Sequence, residues 1–265
     1  MTIQKVRTYG RVVALSFEMA LRQNVTDAFI IFTVLLQPLI IALLALWMLK
    51  DRGGDYIIFV VVGSGMTGLW SSLLFISGNS ITVERWTGTL ESIVGQPTPI
   101  SVILFGKNLA NVFQSLSSMA LAYGLAALFF GYSIHFDQPL VFIVGLVFTV
   151  LSFVSFGLMI APIFILNPAV QSFQNALEYP MYILGGFLFP ILLLPNWTTP
   201  ISYAVAPYWA ARILHAASEG TATPSEIALC IGMMTVLTAI YLIISRTLFN
   251  IMLVKARVDG TLDME

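Results

Sequence analysis

Residues that could carry out chemistry are few and scattered in this sequence. Both histidines, His135 and His215, fall between long apolar stretches. Nucleophilic catalysis needs a Ser or Cys beside a base, but Ser64 and the single cysteine, Cys230, lie in apolar runs without a histidine partner. Histidines and carboxylates do not cluster at metal-ligand spacing either. The sequence therefore predicts neither an enzyme active site nor a metal site.

Nucleotide hydrolysis is also not expected on this chain. A phosphate-binding loop of the form G-x-x-x-x-G-K-[ST] uses glycine backbone groups and a lysine to hold phosphates. The only Gly-Lys pair, Gly106-Lys107, is followed by Asn108, and Ser101 stands where the first glycine belongs. We therefore predict no cofactor on this chain.

Glu178 is an ionisable residue in an apolar stretch, next to Tyr179 and Pro180. Ionisable groups inside membrane spans often lie on ion or proton pathways. Glu178 thus keeps a stand-alone channel or secondary transporter open as an alternative function. The simpler interpretation is an interfacial carboxylate or a hydrogen bond between two helices.

The composition defines the elements that must position these residues. The 265 residues are 58% hydrophobic and only 9% charged, with a mean hydropathy of +0.91. Soluble domains carry about 25% charged residues, so a soluble enzyme, a nucleic-acid-binding protein and a disordered chain are excluded. The net charge of −1 gives no general attraction for an anionic partner. The composition predicts an all-α integral membrane protein.

Six apolar stretches reach the length of about 20 residues that a membrane-spanning helix needs. We predict one transmembrane domain over residues 28–249 and a cytoplasmic tail over residues 250–265. Glycine and proline interrupt the fifth stretch, so its bounds are the least regular. The six predicted spans are 28–49, 56–78, 106–131, 139–166, 172–194 and 226–249.

Residues 1–27 are predicted to form an amphipathic helix that lies in the membrane interface, with an ordinary soluble helix as the alternative. At 100° per residue, apolar and charged side chains separate onto two faces. The apolar face has Val6, Tyr9, Val13, Phe17 and Ala20, and the charged face has Arg7, Arg11, Glu18 and Arg22.

The distribution of Lys and Arg predicts the orientation. With a cytoplasmic N terminus, nine of the twelve basic residues fall inside, and only Lys50, Arg52 and Arg212 fall outside. Because positive charges concentrate in cytoplasmic loops, we expect both termini in the cytoplasm.

Two segments between the predicted spans are long enough to have a function. The charged loop (residues 79–105) is cytoplasmic in this orientation and contains ERWTGTLE at 84–91 and QPTP at 96–99. A short charged helix there can dock into a partner's groove, and a solvated loop is the alternative.

The outer segment (residues 195–225) is rich in Trp, Tyr and Pro, a composition that is typical of the aromatic belt at a membrane interface. The Gly and Pro breaks before it favour short re-entrant helices.

The charged loop resembles that of the ABC-2 type permeases, which have E-R-x-x-G-T-L-E followed by a short proline-containing segment. Residues 185–212 are similar to the same family's G-x-x-F-P, L-P-x-W and Pro-aromatic stretch, which ends in Arg. The six spans and the amphipathic N-terminal helix follow the family's order as well. The resemblance therefore covers nearly the whole chain.

This resemblance implies roles for particular residues. The family's loop is a coupling helix that sits in a cleft of the ATP-binding subunit, and the family's external segment closes the outer end of the pathway. The coupling residues would be Glu84, Arg85, Gly88, Thr89, Leu90 and Glu91. The outer-gate residues would be Phe189, Pro190, Pro195, Trp197, Pro207, Tyr208 and Arg212.

The resemblance also implies partners and a location. Such a permease subunit works with a second permease, which is the same chain or a sister chain, and with two ATP-binding subunits that hold ATP and Mg²⁺. It would be an exporter subunit in the cytoplasmic (inner) membrane of a prokaryote. The apolar spans favour an amphipathic or lipid-linked substrate over a free ion.

Overall fold

The structure is a computed structural model, and it describes most of the chain. The described residues are 3–32, 36–49, 55–77, 84, 88–89, 92–93, 95–130, 137–166, 170–187, 191 and 194–258. Within these ranges every regular element is helical, which confirms the all-α class.

The helices are labelled in chain order, and a π-helix and a 3₁₀-helix are named separately. They are α1 (Ile3–Thr26), α2 (Ala28–Ile31), α3 (Gln37–Leu49), α4 (Asp55–Ser71), the π-helix (Ser72–Ser77), α5 (Ile100–Phe130), α6 (Pro139–Leu166), α7 (Val170–Leu184), the 3₁₀-helix (Asn196–Thr198), α8 (Thr199–Tyr203), α9 (Ala206–Ser218) and α10 (Pro224–Val258).

Two helices extend past the predicted spans. Helix α5 begins at Ile100, before the predicted start at residue 106, and its first turn includes a hydrogen bond from the Val102 amide to the Pro99 carbonyl (2.9 Å). Helix α10 continues to Val258. Residues 250–258 of the predicted tail, 250–265, are therefore helical.

The predicted fifth span, 172–194, is longer than its helix, because α7 ends at Leu184. Gly186 has a φ of +67°, which a residue with a side chain rarely adopts. The Gly186 amide donates to the Ile183 carbonyl (3.1 Å), and the Phe187 amide donates to the Tyr182 carbonyl (3.3 Å). These are the two bonds of a Schellman motif, and they stop the helix.

The π-helix was not predicted from the sequence. It continues α4 over residues that the predicted second span, 56–78, treats as ordinary helix. A π-helix displaces a carbonyl from its usual partner, and here the Gln174 side-chain amide of α7 donates to the Leu74 carbonyl (2.8 Å). A neighbouring helix thus satisfies the irregular backbone, as a low-dielectric environment requires.

The core lies where α4, α6, α9 and α10 meet. Trp70 of α4 is fully buried, and its ring centroid lies 5.9 Å from that of Phe153 and 5.1 Å from that of Phe156. Phe156 in turn makes an edge contact with Tyr241 of α10 at 5.1 Å. Large rings at the centre fix the positions of α6 and α10 relative to α4.

Apolar side chains also cover much of the outer surface. Helix α6 exposes Leu140, Val144, Val147 and Leu151 along one face, and α10 has similar exposed residues. A helix that is apolar on all sides is typical of a membrane span. Within the described residues, two helices are long and apolar enough to cross a bilayer, over Pro139–Ile163 and Pro224–Met252, and Val60–Ile76 is a shorter apolar helix.

Candidate functional site

The structure describes about half of the predicted coupling residues. Glu84, Gly88 and Thr89 are described, whereas Arg85, Leu90 and Glu91 lie outside the described residues.

Glu84 joins the charged loop to α5. Its carboxylate accepts hydrogen bonds from the Lys107 ammonium of α5 and from the Thr89 hydroxyl. The Thr89 amide also donates to the Glu84 carbonyl (2.9 Å), which closes a small turn. Partial burial of the Glu84 carboxylate raises its pKa. The hydrogen bonds from Lys107 and Thr89, together with the positive charge of Lys107, outweigh this effect, so the pKa lies below its usual value. The carboxylate is therefore ionised and bound by groups of its own chain.

Gly88, which precedes Thr89 in the sequence, is exposed. Its φ is +70°, in the left-handed region that favours glycine. A Cβ at Gly88 would have no atom within 4 Å, so the backbone conformation, rather than lack of space, explains the glycine. Thr89 is exposed as well. We call the exposed residues Gly88 and Thr89 the tip of the charged loop, and Glu84, which is bound to Lys107 of α5, its base.

Helix α5, which contains Lys107, also packs against α1. A Cβ at Gly106, one residue before Lys107, would lie 2.6 Å from the Val13 carbonyl oxygen and 2.9 Å from the Ser16 Cβ. The two helices therefore pack with their backbones close together. The rings of Phe17 and Phe113 pack edge to face at 5.9 Å further along the same contact.

Helix α1 has the two faces that the sequence predicts. Tyr9, Val13, Phe17 and Ala20 are partly or fully buried, whereas Arg7, Arg11, Glu18 and Arg22 are exposed. The side chain of Val6 lies outside the described residues. The buried face rests on α5, so α1 belongs to the bundle and also presents a charged face to its surroundings.

In the outer segment the structure describes five of the predicted gate residues. Phe189 and Pro190 lie outside the described residues. Those described are Pro195, Trp197, Pro207, Tyr208 and Arg212.

Pro195 and Trp197 lie at an exposed corner. The Pro195 carbonyl accepts hydrogen bonds from the Thr198 amide (3.0 Å) and the Thr198 hydroxyl (2.8 Å), which forms the 3₁₀-helix. The Trp197 side chain is 71% exposed. A large exposed tryptophan at this position is typical of a residue at a membrane interface.

Pro207 and Tyr208 begin a helix that is almost completely buried. Pro207 is in the first turn of α9, where a missing amide donor does not matter. The Trp209 indole donates to the Tyr203 carbonyl (2.9 Å), and the rings of Tyr203, Tyr208 and Trp209 pack against one another at 4.9 to 5.4 Å. A Cβ at Gly145 of α6 would lie 3.2 Å from Ile213, which shows how closely α9 packs on α6.

Arg212 connects α9 to the start of α10. Its Nε donates to the Glu226 carboxylate (2.7 Å), and its Nη1 donates to the Tyr208 hydroxyl (3.3 Å). Arg212 was predicted from the sequence, but Glu226 was not. The position of Glu226 in the first turn of α10, where an acidic residue interacts favourably with the helix dipole, is a signal that could have indicated it.

Glu178 forms one hydrogen bond between two helices, as the simpler interpretation allowed, and one within α7. Its carboxylate accepts from the Ser71 hydroxyl of α4 (2.8 Å) and from the Tyr182 hydroxyl one turn further along α7 (2.6 Å). The Glu178 side chain is buried. Tyr182 follows Glu178 by four residues, so the spacing itself could have indicated this pair.

No metal site is found among the described residues, because no three His, Cys, Asp or Glu side chains come together there. The arrangement instead consists of a polytopic helical bundle, a short loop fixed to one helix and a closely packed outer segment.

The comparison with known families identifies the class. The model of the ABC-2 type transporter family matches residues 11–217, which is more than half of the chain. The chain therefore belongs to the ABC-2 type transporter family, and it is a membrane component of an ABC transport system. This confirms the resemblance found in the sequence. No curated protein matches the chain significantly.

Proposed function

We propose that this chain is the permease subunit of an ATP-driven exporter and that the charged loop is its contact with a separate ATP-binding subunit. The observation that carries this proposal is the construction of the loop. Its tip at Gly88 and Thr89 is exposed, while Glu84 fixes its base to Lys107 of α5. A partner can thus contact the tip, and movement of the loop would pass through Glu84 and Lys107 to the long helix α5.

The close contact between α5 and α1 supports a route for the movement. Because Gly106 brings α5 against the backbone of Val13, a shift of α5 moves α1 as well. ATP-driven closure of the partner subunits would move these helices and change the position of one permease relative to the other. Partner binding shifts this equilibrium only by the difference in its affinity for the two conformations.

The assembly has two permease subunits, the same chain twice or this chain with a sister chain, above two ATP-binding subunits. ATP and Mg²⁺ bind to those partners and not to this chain. The chain crosses the inner membrane six times with both termini in the cytoplasm, and α1 lies in the cytoplasmic interface. In this orientation the outer segment closes the external end of the pathway as re-entrant helices.

The substrate class is amphipathic or lipid-linked. The described apolar helices expose many aliphatic side chains, and apolar walls cannot replace the hydration shell of an ion. Transport of an ion by the purified assembly without any response to an amphipathic compound would contradict this class.

Affinity purification of the tagged chain from its native membranes tests the coupling. We expect an ATP-binding subunit to co-purify in equal amount. Gly88→Val should sharply reduce its recovery, because a β-branched residue does not tolerate the φ of +70° at the tip. The matched control is Gly124→Val in α5, where a Cβ would also have no atom within 4 Å. Thermal unfolding in detergent verifies that both variants fold.

A clean permease dimer without an ATP-binding subunit would contradict the proposal and favour a stand-alone channel or secondary transporter. Glu178 would then be the residue to test, since it is a buried carboxylate between α4 and α7. Unchanged recovery with Gly88→Val would show instead that another loop makes the contact.

A further inference from the structure

A cavity of about 500 Å³, lined by both polar and apolar side chains, lies where the end of α1 meets α2, α5 and the end of the π-helix. This volume is within the range of about 300–1,000 Å³ that small-molecule sites occupy. The cavity is not part of the charged loop or of the outer segment. Its location near the end of the predicted interfacial helix puts it at the depth of lipid headgroups in the proposed orientation.

The polar part of the cavity holds one residue of each charge. Lys107 and Asp27 both line it, together with the amides of Asn24 and Asn111. The Asn24 amide donates to the Asn111 side-chain oxygen (2.8 Å), and both residues are almost completely buried. This bond joins α1 to α5 and fixes the inner wall of the cavity.

The two charges do not attract an anion overall. The Lys107 ammonium already forms an ion pair with Glu84, so its charge is largely compensated. Because an ammonium has three donors, Lys107 can still donate to a further acceptor. Asp27 adds a negative charge at the exposed side of the cavity. A headgroup that brings both an acceptor and a cationic donor therefore fits better than a purely anionic one.

Apolar residues also line the cavity, namely Ile30 and Ile76. Further along the first predicted span, α3 exposes Ile40 and Leu44, which share one face of the helix because they are four residues apart. Phe32 and Leu36, which lie between the cavity and α3 in the sequence, are exposed as well. These four residues are called the exposed apolar row.

We propose that this cavity binds the phosphoethanolamine headgroup of a phospholipid, with the acyl chains along the exposed apolar row. The phosphate accepts from Lys107, and the primary ammonium donates to Asp27. The site depends on the membrane position of the chain and not on an ATP-binding partner. Its failure is therefore distinguishable from failure of the proposed coupling.

Lipid binding to the purified full-length chain in detergent tests the proposal, measured by native mass spectrometry. The probes are phosphatidylethanolamine, phosphatidylcholine and phosphatidylglycerol with identical acyl chains. We expect one tightly bound phosphatidylethanolamine per chain, at about tenfold higher affinity than the other two lipids, as one charge-assisted hydrogen bond provides. The quaternary ammonium of phosphatidylcholine cannot donate this bond.

Asp27→Asn should abolish the preference for phosphatidylethanolamine. The substitution leaves a side-chain oxygen for the Ile30 amide, which Asp27 now caps at 3.4 Å, so α2 keeps its first turn. The matched control is Glu18→Gln, which removes a carboxylate from the exposed face of α1, outside the cavity. We expect this control to keep the preference.

Gln23→Trp provides a second variant, because Gln23 lines the cavity from an exposed position that accepts a larger side chain. It should reduce binding of phosphatidylethanolamine by blocking the space. Equal binding of the three lipids, or an unchanged preference in both cavity variants, would overturn the proposal. Equal affinity for water-soluble glycerophosphoethanolamine would overturn the lipid as the source of the headgroup.

Discussion

The charged loop and the outer segment differ in how their residues are used. In the charged loop, Glu84 binds to its own chain and the tip at Gly88 is exposed. In the outer segment, α9 is buried on nearly all sides, and Tyr208 and Arg212 contact neighbouring side chains. One region therefore has exposed residues beside a bound carboxylate, while the other is part of the folded core.

The charged loop and the outer segment both carry motifs of the family, but we expect substitutions in them to change different properties. Substitutions at Gly88 should change association and leave the packed core intact, because Gly88 is exposed and a Cβ there would have no atom within 4 Å. Substitutions in α9 should change stability first, because packing residues cannot be altered without a cavity or a clash. Four measurements can test this difference.

Ile213→Ala should have the largest effect on stability. Ile213 is fully buried in α9 and lies against Gly145 of α6, so truncation leaves a cavity. The expected loss is about 2–5 kcal/mol, measured as a lower unfolding temperature in detergent. The control is Ile201→Ala in α8, whose side chain is 46% exposed. Equal effects of the two substitutions would show that α9 is not a packed part of the core.

Gly106→Val should separate α1 from α5. The new side chain would overlap the Val13 carbonyl oxygen, and a backbone atom cannot move aside as a flexible side chain does. We expect a loss of about 1–3 kcal/mol and faster proteolysis of α1. Gly124→Val on the same helix is the control. Wild-type proteolysis of α1 in Gly106→Val would contradict the close contact of these helices.

The sequence predicted the helical class well, because apolar composition and spacing act along single segments. It placed α6 over the residues where the structure has it, Pro139–Leu166. It missed the end of α7 at Leu184, which depends on a left-handed Gly186 and two backbone hydrogen bonds. Such bonds follow from local geometry that composition does not report.

The sequence predicted which residues belong to the candidate site better than it predicted the contacts they make. The motif indicated Glu84 and Arg212, but the partner of each, Lys107 and Glu226, lies on a different element. The π-helix and its bond from Gln174 were missed for the same reason. A contact between residues far apart in sequence needs the packing of two helices, which a single sequence does not fix.

The pair Arg212–Glu226 should contribute a smaller amount to stability in the outer segment. Both side chains are partly exposed, so solvent reduces their attraction. A double-mutant cycle with Arg212→Gln and Glu226→Gln should give a coupling energy of about 1 kcal/mol. Additive effects of the two substitutions would mean that the pair does not hold α9 to α10.

The smallest effect should be the pH dependence of the charged loop. The folded state lowers the pKa of Glu84 below the ordinary value of 4.5, so the ion pair with Lys107 contributes its full stabilisation above pH 4.5. That contribution is lost as the pH falls through the lowered pKa of the folded state. The unfolding temperatures of wild type and Glu84→Gln should therefore differ by a constant amount from pH 6 to 8.

Below pH 4.5 the two proteins should converge, because protonation removes the charge that the substitution removes permanently. The control is Glu18→Gln, in which the carboxylate belongs to an exposed pair on α1 and should contribute little at any pH. Convergence would assign the stabilisation to the charge of Glu84 at the base of the charged loop. A difference between wild type and Glu84→Gln that persists at low pH would assign the effect to packing instead.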